Sequence, residues 1–306
     1  MKYQHIGASD IYASRVALGL MRIADKTHEE AVEIIKTAYD AGINFFDHAD
    51  IYGGGKSELV FAKAMKELNI PREKYYLQSK VGIKPGIAYD FSMEHILKSV
   101  DEILERLETD YLDSLLLHRA DMLWEPEEIA KAFKILKENG KVRKFGVSNM
   151  HQFQLSYLKS KLDFPIIANQ LQFSIMHADM VSTGTFVNTN LKNDGFNAIG
   201  IIDYLREHNI TIQAWSPFQY GRYEGVFIDN DKFPELNEKL DEIAKKYRTT
   251  KTTLSVAWIL RHPANIQTII GTMNPKRIKE CAQATEIILS REEWYEIYIA
   301  AGNRIL

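Results

Sequence analysis

The chain alternates short apolar runs with longer segments in which apolar residues recur at every third or fourth position. Short runs of this kind are typical of strands buried on both faces, and the longer segments are typical of amphipathic helices. The pattern predicts eight strands: Arg15–Gly19, Ile43–Phe46, Tyr75–Ser79, Leu112–Leu117, Arg143–Val147, Ile166–Asn169, Thr211–Trp215 and Ile266–Ile270.

A helix is predicted after each strand, and several helices carry recognisable start or stop residues. Thr27 and Ser92 stand where an N-cap is expected, and Pro126 opens a helix that ends at Asn139–Gly140. The predicted helices are His28–Ala41, Ser57–Leu68, Ser92–Leu107, Pro126–Glu138, His151–Lys159, Gly200–His208, Pro234–Tyr247, Lys251–Arg261 and Pro275–Ala284.

Repeated strand–helix units predict an α/β fold with a parallel sheet inside and helices outside. Eight units close a (β/α)8 TIM barrel, and 306 residues suit a single domain over residues 1–306. The alternative is a doubly wound open sheet, but Gly19–Leu20–Met21–Arg22 stands where its G-x-G-x-x-G motif is expected. Alternation around a Gly–Ala–Ser–Asp turn in Met1–Ile11 predicts an N-terminal β-hairpin at the lower end of the barrel.

Composition narrows the classes of partner. The net charge is -3 with both signs interleaved, which disfavours nucleic acid and anionic membranes as partners. The single cysteine, Cys281, excludes a disulfide within the chain and a Cys-rich metal site. No apolar run approaches the roughly 20 residues of a membrane span. We therefore expect a soluble cytoplasmic protein, a monomer or weak homo-oligomer, that acts on a small molecule.

Ionisable side chains stand at the ends of three successive predicted strands. Asp47 and Tyr52 follow the second strand, Lys80 ends the third, and His118 ends the fourth. Chemistry in a barrel lies at the carboxyl ends of its strands, so we expect these four residues to converge. Alone, each has an ordinary interpretation: a solvated lysine, a buried histidine, an aromatic lid.

Together, these four residue types suit proton transfer to a carbonyl group. A phenol has an ordinary pKa of about 10, so it is a poor acid at neutral pH. A nearby ammonium favours the phenolate, and a carboxylate keeps that ammonium charged and in place. A neutral imidazole can orient a carbonyl oxygen. The scattered histidines lack the H-E-x-x-H spacing of a metal site, and no G-x-S-x-G elbow indicates a serine hydrolase.

The motifs NFFDHADIYGGG, QSK and LLLHR, in this order and spacing, resemble those of the aldo-keto reductases. The resemblance covers nearly the whole chain and implies a catalytic tetrad of Asp47, Tyr52, Lys80 and His118. It implies that hydride passes from a nicotinamide to a carbonyl carbon while Tyr52 protonates the oxygen. Lys80 would tune the phenol, Asp47 would pair with Lys80, and His118 would position the carbonyl.

The resemblance also implies the cofactor-binding residues. Ser148, Asn149 and Gln170 match residues that hydrogen-bond the nicotinamide carboxamide, and Trp215 matches the aromatic residue that stacks under the ring. The remaining assignments near the nicotinamide and the pyrophosphate are Gly19, Met21, Asp47, Ser216, Pro217, Phe218, Gly221 and Arg222.

The segment after the eighth strand resembles the one that binds the adenosine 2′-phosphate, which favours NADP(H) over NAD. Backbone N–H groups at a helix start, the hydroxyl of Thr272 and the guanidinium of Arg277 suit an anion. Gly271, Met273 and Glu280 belong to the same segment. Many relatives have a lysine in place of Gly271 and an asparagine in place of Cys281, and the missing lysine weakens the expected grip on the phosphate.

The sequence predicts an NADPH-dependent oxidoreductase that reduces an aldehyde or ketone to an alcohol. Tyr89, Trp124 and Phe173 are expected to bind substrate together with Tyr52 and His118, and the long 171–197 segment is expected to shape specificity. Two alternatives remain open. One is a barrel that binds NADPH as a sensor with little turnover, and the other is a Schiff-base aldolase that uses Lys80 and needs no cofactor.

Overall fold

The computed structural model describes residues 1–185, 198–221 and 224–305. Its strands are β1 (Tyr3–His5), β2 (Tyr12–Ser14), β3 (Val16–Gly19), β4 (Phe45–Asp47), β5 (Tyr76–Val81), β6 (Ile83–Lys84), β7 (Ala88–Tyr89), β8 (Leu112–Leu117), β9 (Val142–Ser148), β10 (Ile166–Gln172), β11 (Thr211–Trp215) and β12 (Gln267–Ile270).

Helices alternate with the longer strands. They are α1 (His28–Asp40), α2 (Lys56–Leu68), α3 (Met93–Arg106), α4 (Pro126–Glu138), α5 (Gln152–Lys159), α6 (Asp179–Ser182), α7 (Ile201–Glu207), α8 (Pro234–Tyr247), α9 (Lys251–Leu260), α10 (Pro275–Gln283) and α11 (Arg291–Ala300). Within the described ranges, no helix combines the length and the hydropathy needed to cross a lipid bilayer.

Strands β3, β4, β5, β8, β9, β10, β11 and β12 form a closed parallel barrel. Closure joins β12 to β3 in parallel, with Ile270 opposite Leu18. The predicted (β/α)8 barrel is therefore confirmed, and the doubly wound open sheet is excluded because a closed barrel has no edge strands.

The helices lie outside the barrel because one face of each is apolar. In α1, Ala31, Ile34, Ile35 and Ala38 are buried at the spacing of successive turns. Burial of each large aliphatic side chain contributes roughly 1.5–3 kcal/mol. The predicted cap is also present, because the Thr27 side chain accepts a hydrogen bond from the backbone of Glu30.

The predicted N-terminal hairpin exists but extends beyond Met1–Ile11, because β1 pairs antiparallel with β2 at Tyr12–Ser14. Ile6 and Ile11 are buried in a small apolar cluster with Ile167, at the lower end of the barrel. Gly7 makes the close approach: with φ of 53°, its added Cβ would lie 2.2 Å from the carbonyl oxygen of Ile167. The hairpin therefore closes the end opposite the predicted site.

Sequence analysis did not predict the short helix α6, the β6–β7 hairpin or helix α11. The β6–β7 hairpin follows β5 at the upper end of the barrel. Helix α11 packs across α9, where the Trp294 and Trp258 rings stack at 4.6 Å. A capping box of Ser290 and Glu293 opens α11, and this sequence signal could have identified the helix.

Candidate active site

The four predicted catalytic residues meet at the carboxyl ends of the barrel strands. The Nζ of Lys80 donates hydrogen bonds to Asp47 Oδ2 at 2.7 Å, to the His48 carbonyl at 2.8 Å and to Tyr52 Oη at 3.2 Å. The Tyr52 ring contacts the His118 ring edge-on, with centroids 6.0 Å apart. The strand order brings the ends of the strands that precede these residues together, since β4, β5 and β8 are neighbours.

A run of glycines places Tyr52 at this position. Gly53, Gly54 and Gly55 follow it with φ of 58°, 63° and 89°, a conformation that residues with a Cβ adopt at a cost. An added Cβ on Gly53 would lie 2.6 Å from the Cβ of Ala24. The chain can therefore turn sharply after Tyr52 and start α2 only because these residues are glycines.

Lys80 remains charged although its side chain is fully buried. Burial alone would lower the pKa of Lys80, but the charge of Asp47, followed by that of Tyr52, outweighs burial and raises the pKa above its ordinary value. The site thus holds a permanent ammonium beside a phenol, out of contact with water.

Asp47 is held by amides as well as by Lys80. Its Oδ1 accepts hydrogen bonds from Gln78 Nε2 at 2.6 Å and from Gln170 Nε2 at 3.0 Å. Gln213 accepts from both glutamines through Oε1 and donates to Gln267 at 2.9 Å. The barrel interior below the site is therefore a chain of four glutamines, which the apolar pattern of the strands did not reveal.

His118 carries no charge at neutral pH. Burial, and then the charge of Lys80, holds the pKa of His118 well below its ordinary value. Its Nδ1 is buried without a hydrogen-bond partner among the described residues. A neutral imidazole has one N–H to donate. This donor suits a carbonyl oxygen better than it suits a carboxylate.

Asp50 and Glu58 form a second buried acidic group behind the tetrad, which sequence analysis did not identify as titratable. Glu58 accepts from Ser79 Oγ at 3.0 Å and from Arg106 Nε at 2.6 Å. Burial, and then the charge of Glu58, raises the pKa of Asp50 to about 7. The backbone N–H of Asp50 donates to the Lys80 carbonyl at 3.1 Å, so this group is adjacent to the catalytic lysine.

The residues expected around the nicotinamide are linked by hydrogen bonds. Trp215 Nε1 donates to Asn149 Oδ1 at 3.2 Å, and Asn149 Nδ2 donates to Ser148 Oγ at 2.7 Å. Ser148 Oγ donates in turn to the Gln170 carbonyl at 2.9 Å. The hydrogen bond at the edge of the indole therefore fixes the orientation of the Trp215 ring.

Backbone strain marks the same region. Asn149 and Ser216 adopt φ of 56° and 52°, although neither is glycine. Such residues cost of order 1–3 kcal/mol and concentrate at ligand sites. The Arg119 guanidinium carbon lies 5.6 Å from the Trp215 ring centre, so a cation borders the indole.

The loop after β11 is described only in part. Phe218 is half-buried, and its carbonyl accepts a hydrogen bond from Phe227 at 3.1 Å. On the same loop, Pro217 is buried and Gly221 is half-exposed. Arg222 lies outside the described residues, as does 186–197 of the predicted specificity segment.

The predicted phosphate segment follows β12 directly. The Asn274 side chain caps α10 by accepting from Arg277 N at 3.2 Å, and Thr272 Oγ1 accepts from Asn274 N at the same distance. The Arg277 side chain is exposed. Gly271, Met273 and Glu280 are partly exposed along the same surface. The carbonyl of Gly271 accepts from Arg22 Nη1 at 3.1 Å, a contact that sequence analysis did not predict.

The predicted substrate residues differ in their surroundings. Tyr89 on β7 is 42% exposed, and Trp124 packs edge-on against Tyr157. Phe173 requires a correction: it is fully buried, with its ring 5.4 Å from that of Trp258. It packs in the hydrophobic core between β10 and α9 and does not face an open pocket.

Gly19 and Met21 lie where β3 leaves the barrel, with Gly19 buried and Met21 exposed. Across the residues that the structure describes, no group of three or more His, Cys, Asp or Glu is arranged to hold a metal ion. Cys281 is buried on α10, and burial raises the pKa of its thiol far above the ordinary value.

Comparisons with known proteins identify the family of the chain. The sequence profile of the aldo/keto reductase family matches residues 15–301. The chain is 34% identical to the uncharacterised oxidoreductase YcsN of Bacillus subtilis, over 96% of each chain. It is 31% identical to a 6-dehydroglucose reductase of Novosphingobium aromaticivorans, over 99% of this chain and 97% of that one.

A solved structure resembles the barrel as a whole. The thermostable aldo-keto reductase Tm1743, crystallised with the inhibitor epalrestat, superimposes with a TM-score of 0.81 at 27% identity. The match covers 98% of this chain and 100% of the other. From the profile match over nearly its whole length, the relatives and the shared barrel, we conclude that the chain belongs to the aldo/keto reductase family.

Proposed function

We propose that the protein reduces an aldehyde or ketone to an alcohol with NADPH, and that Tyr52 is the proton donor. Membership of the family supports carbonyl reduction, and the family generally uses nicotinamide cofactors. The observation that carries the proposal is the 3.2 Å hydrogen bond from Lys80 Nζ to Tyr52 Oη. It couples a phenol to a buried ammonium whose own partner is Asp47.

The proton transfer follows from this contact. When the hydroxyl of Tyr52 gives its proton to the substrate oxygen, the phenolate that remains accepts a hydrogen bond from Lys80. Asp47 keeps Lys80 charged throughout, so Lys80 stabilises the phenolate without giving up its own proton. Tyr52 then regains a proton from solvent before the next turnover. A positioned general acid of this kind contributes roughly 10²–10⁴-fold in rate.

His118 serves a different purpose. Its neutral imidazole can donate one hydrogen bond, and its ring lies edge-on to that of Tyr52. A carbonyl oxygen between the two rings would be polarised by the imidazole N–H and protonated by the phenol. A charged imidazole there would place a second positive charge near the ammonium of Lys80. The lowered pKa of His118 keeps the imidazole neutral and avoids this repulsion.

The residues of the strand ends suit a nicotinamide dinucleotide, which supplies hydride to the carbonyl carbon when bound. Trp215 offers a flat ring held at its edge by Asn149. Arg277 offers an exposed cation in the first turn of α10, and a guanidinium group can bind a phosphate through paired hydrogen bonds. These features support NADPH over NADH, and the relative named 6-dehydroglucose reductase supports a carbonyl-bearing sugar or similar small molecule as substrate. We also propose a cytoplasmic location and a monomer or weak homo-oligomer.

A turnover assay tests the proposal. Purified protein is mixed with NADPH and a panel of aldehydes and ketones, and the loss of reduced-nicotinamide absorbance is followed. We expect Tyr52→Phe to lower turnover by roughly 100-fold or more while NADPH binding is retained. Tyr295→Phe, an exposed tyrosine on α11, is the matched control and should leave turnover unchanged.

Other outcomes would replace the proposal. Tight NADPH binding without oxidation across the whole panel would favour a sensor. Borohydride trapping of a carbonyl compound on Lys80, without any need for a dinucleotide, would favour a Schiff-base aldolase.

A further inference from the structure

Gly271 is the residue directly after β12. The space that a side chain at this residue would occupy is filled by another part of the chain. An added Cβ would lie 2.9 Å from Arg22 Nη1, and among the described residues no other atom comes within 4 Å of it. The φ of Gly271 lies outside the left-handed region, so the backbone does not demand glycine here. What a side chain at this position would meet is the guanidinium of Arg22.

The barrel seam creates this contact. β3 and β12 are parallel neighbours with Leu18 opposite Ile270, so the loops that leave both strands emerge side by side. Arg22 lies just before a short 3₁₀ turn, Ile23–Asp25, which directs its side chain across the seam. Its Nη1 donates to the carbonyl of Gly271 at 3.1 Å across 249 residues of sequence.

The guanidinium retains most of its hydrogen-bonding capacity. Arg22 is exposed, and within the described ranges no carboxylate forms an ion pair with it. Of the five N–H donors of an arginine, one is used by a neutral carbonyl. The remaining donors and the full positive charge are available at the surface where α10 begins.

The neighbouring groups on that surface also suit an anion. Thr272 follows Gly271, Asn274 caps α10, and no acidic residue lies in the first turn of the helix. Arg277 is exposed in that turn. The loop after β3 and the first turn of α10 therefore each contribute an exposed arginine, Arg22 and Arg277. Planar guanidinium groups bind phosphate through paired hydrogen bonds.

We propose that Arg22 is a specificity-determining residue that contacts the adenosine 2′-phosphate of NADP(H), in place of the side chain that Gly271 lacks. This inference rests on the proposed nicotinamide cofactor but not on turnover. It assigns the phosphate grip to two arginines, one from the loop after β3 and one from α10.

Binding measurements test the assignment. The dissociation constants of NADPH, NADH, 2′,5′-ADP and 5′-AMP are measured by titration calorimetry on wild type, Arg22→Ala and Arg22→Lys. We expect Arg22→Ala to weaken NADPH and 2′,5′-ADP by roughly tenfold or more, since a charge-assisted hydrogen bond is lost. NADH and 5′-AMP should change by less than about twofold, because they lack the 2′-phosphate. Arg22→Lys should fall between the two.

Two further variants separate a phosphate contact from a structural effect. Lys26→Ala removes another cation of the same loop, one already paired with Glu30, and should leave all four constants unchanged. Gly271→Lys in the Arg22→Ala background should restore the preference for NADPH, because the clash with the guanidinium is gone.

The results distinguish this inference from the proposed function. Equal weakening of NADPH and NADH by Arg22→Ala, or no weakening, would overturn the 2′-phosphate contact. Selective weakening in a protein that oxidises no NADPH would sustain the contact and overturn the reductase. If wild type binds neither NADPH nor 2′,5′-ADP, both fail.

Discussion

The ammonium of Lys80 lies 3.2 Å from the phenolic oxygen of Tyr52, and no part of the lysine side chain is exposed. Solvent therefore does not screen the charge, and its effect on the phenol is larger than at a surface. The same burial makes Lys80 and Asp47 depend on each other, because removal of either leaves an uncompensated charge in the barrel.

Lys80→Met should lower both activity and stability. We expect turnover to fall by roughly 100-fold or more, and the free energy of unfolding to fall by about 3–5 kcal/mol because Asp47 is left buried and unpaired. The double variant Lys80→Met/Asp47→Asn should recover much of the stability but none of the activity. Steady-state kinetics and urea unfolding provide the two measurements, and recovery of both together would contradict the interpretation.

Asp50→Asn should change how stability depends on pH. The pKa of Asp50 is raised to about 7 from an ordinary 3.8, so the folded state binds more protons than the unfolded state in between. The contribution of Asp50 to the free energy of unfolding therefore falls as pH rises from about 4 to about 7. Relative to wild type, the free energy of unfolding of Asp50→Asn should rise by up to about 4 kcal/mol over that interval. Unfolding free energies at several pH values test this, and parallel curves would disprove it.

Gly53→Ala should destabilise the turn that carries Tyr52 and reduce turnover. Its φ of 58° is costly for alanine, and its Cβ would also clash with Ala24 at 2.6 Å. Gly54→Ala is the matched control: φ is 63°, but no described atom lies within 4 Å of the added Cβ. We expect the free energy of unfolding to fall by about 1–2 kcal/mol in Gly54→Ala, and by more in Gly53→Ala. Equal losses would mean that the contact with Ala24 has no effect.

Gln213→Leu should disturb Asp47 from below. Gln213 Oε1 accepts from Gln78 at 2.9 Å and from Gln170 at 3.3 Å, and both of these amides donate to Asp47. We expect a loss of roughly 1–3 kcal/mol, since buried donors lose a partner, and a fall in kcat rather than a rise in KM. Gln172→Leu is the stability control, because its buried Nε2 has no partner among the described residues. Similar losses in the two variants would rule out the network.

The pattern of apolar runs predicts the barrel because every barrel strand is buried by helices outside and by packing inside. It does not predict the four-glutamine chain, since Gln78, Gln170, Gln213 and Gln267 lie on four different strands far apart in sequence. Only closure of the barrel brings them within hydrogen-bonding distance. Strands β4, β5, β9 and β10 also extend beyond their predicted C-terminal ends. In β10 this happens because ladder hydrogen bonds continue into polar sequence as far as Gln172.

The tetrad is predictable because neighbouring strands of a barrel place their carboxyl ends together. The raised pKa of Asp50 is not, because it depends on burial and on Glu58, which α2 contributes. Phe173 illustrates the opposite error: an aromatic residue near a strand end suggests a pocket, but its ring is covered by Trp258. The contact of Arg22 with Gly271 depends on the pairing of β3 with β12, which no local sequence pattern predicts.

The pairing of β3 with β12 also governs when the protein can become functional during synthesis. The contact between Arg22 and Gly271 spans 249 residues, so it must wait until almost the whole chain has been translated. Closure of the barrel therefore depends on a pairing between two distant parts of the chain, and it comes late when the chain folds as it is made.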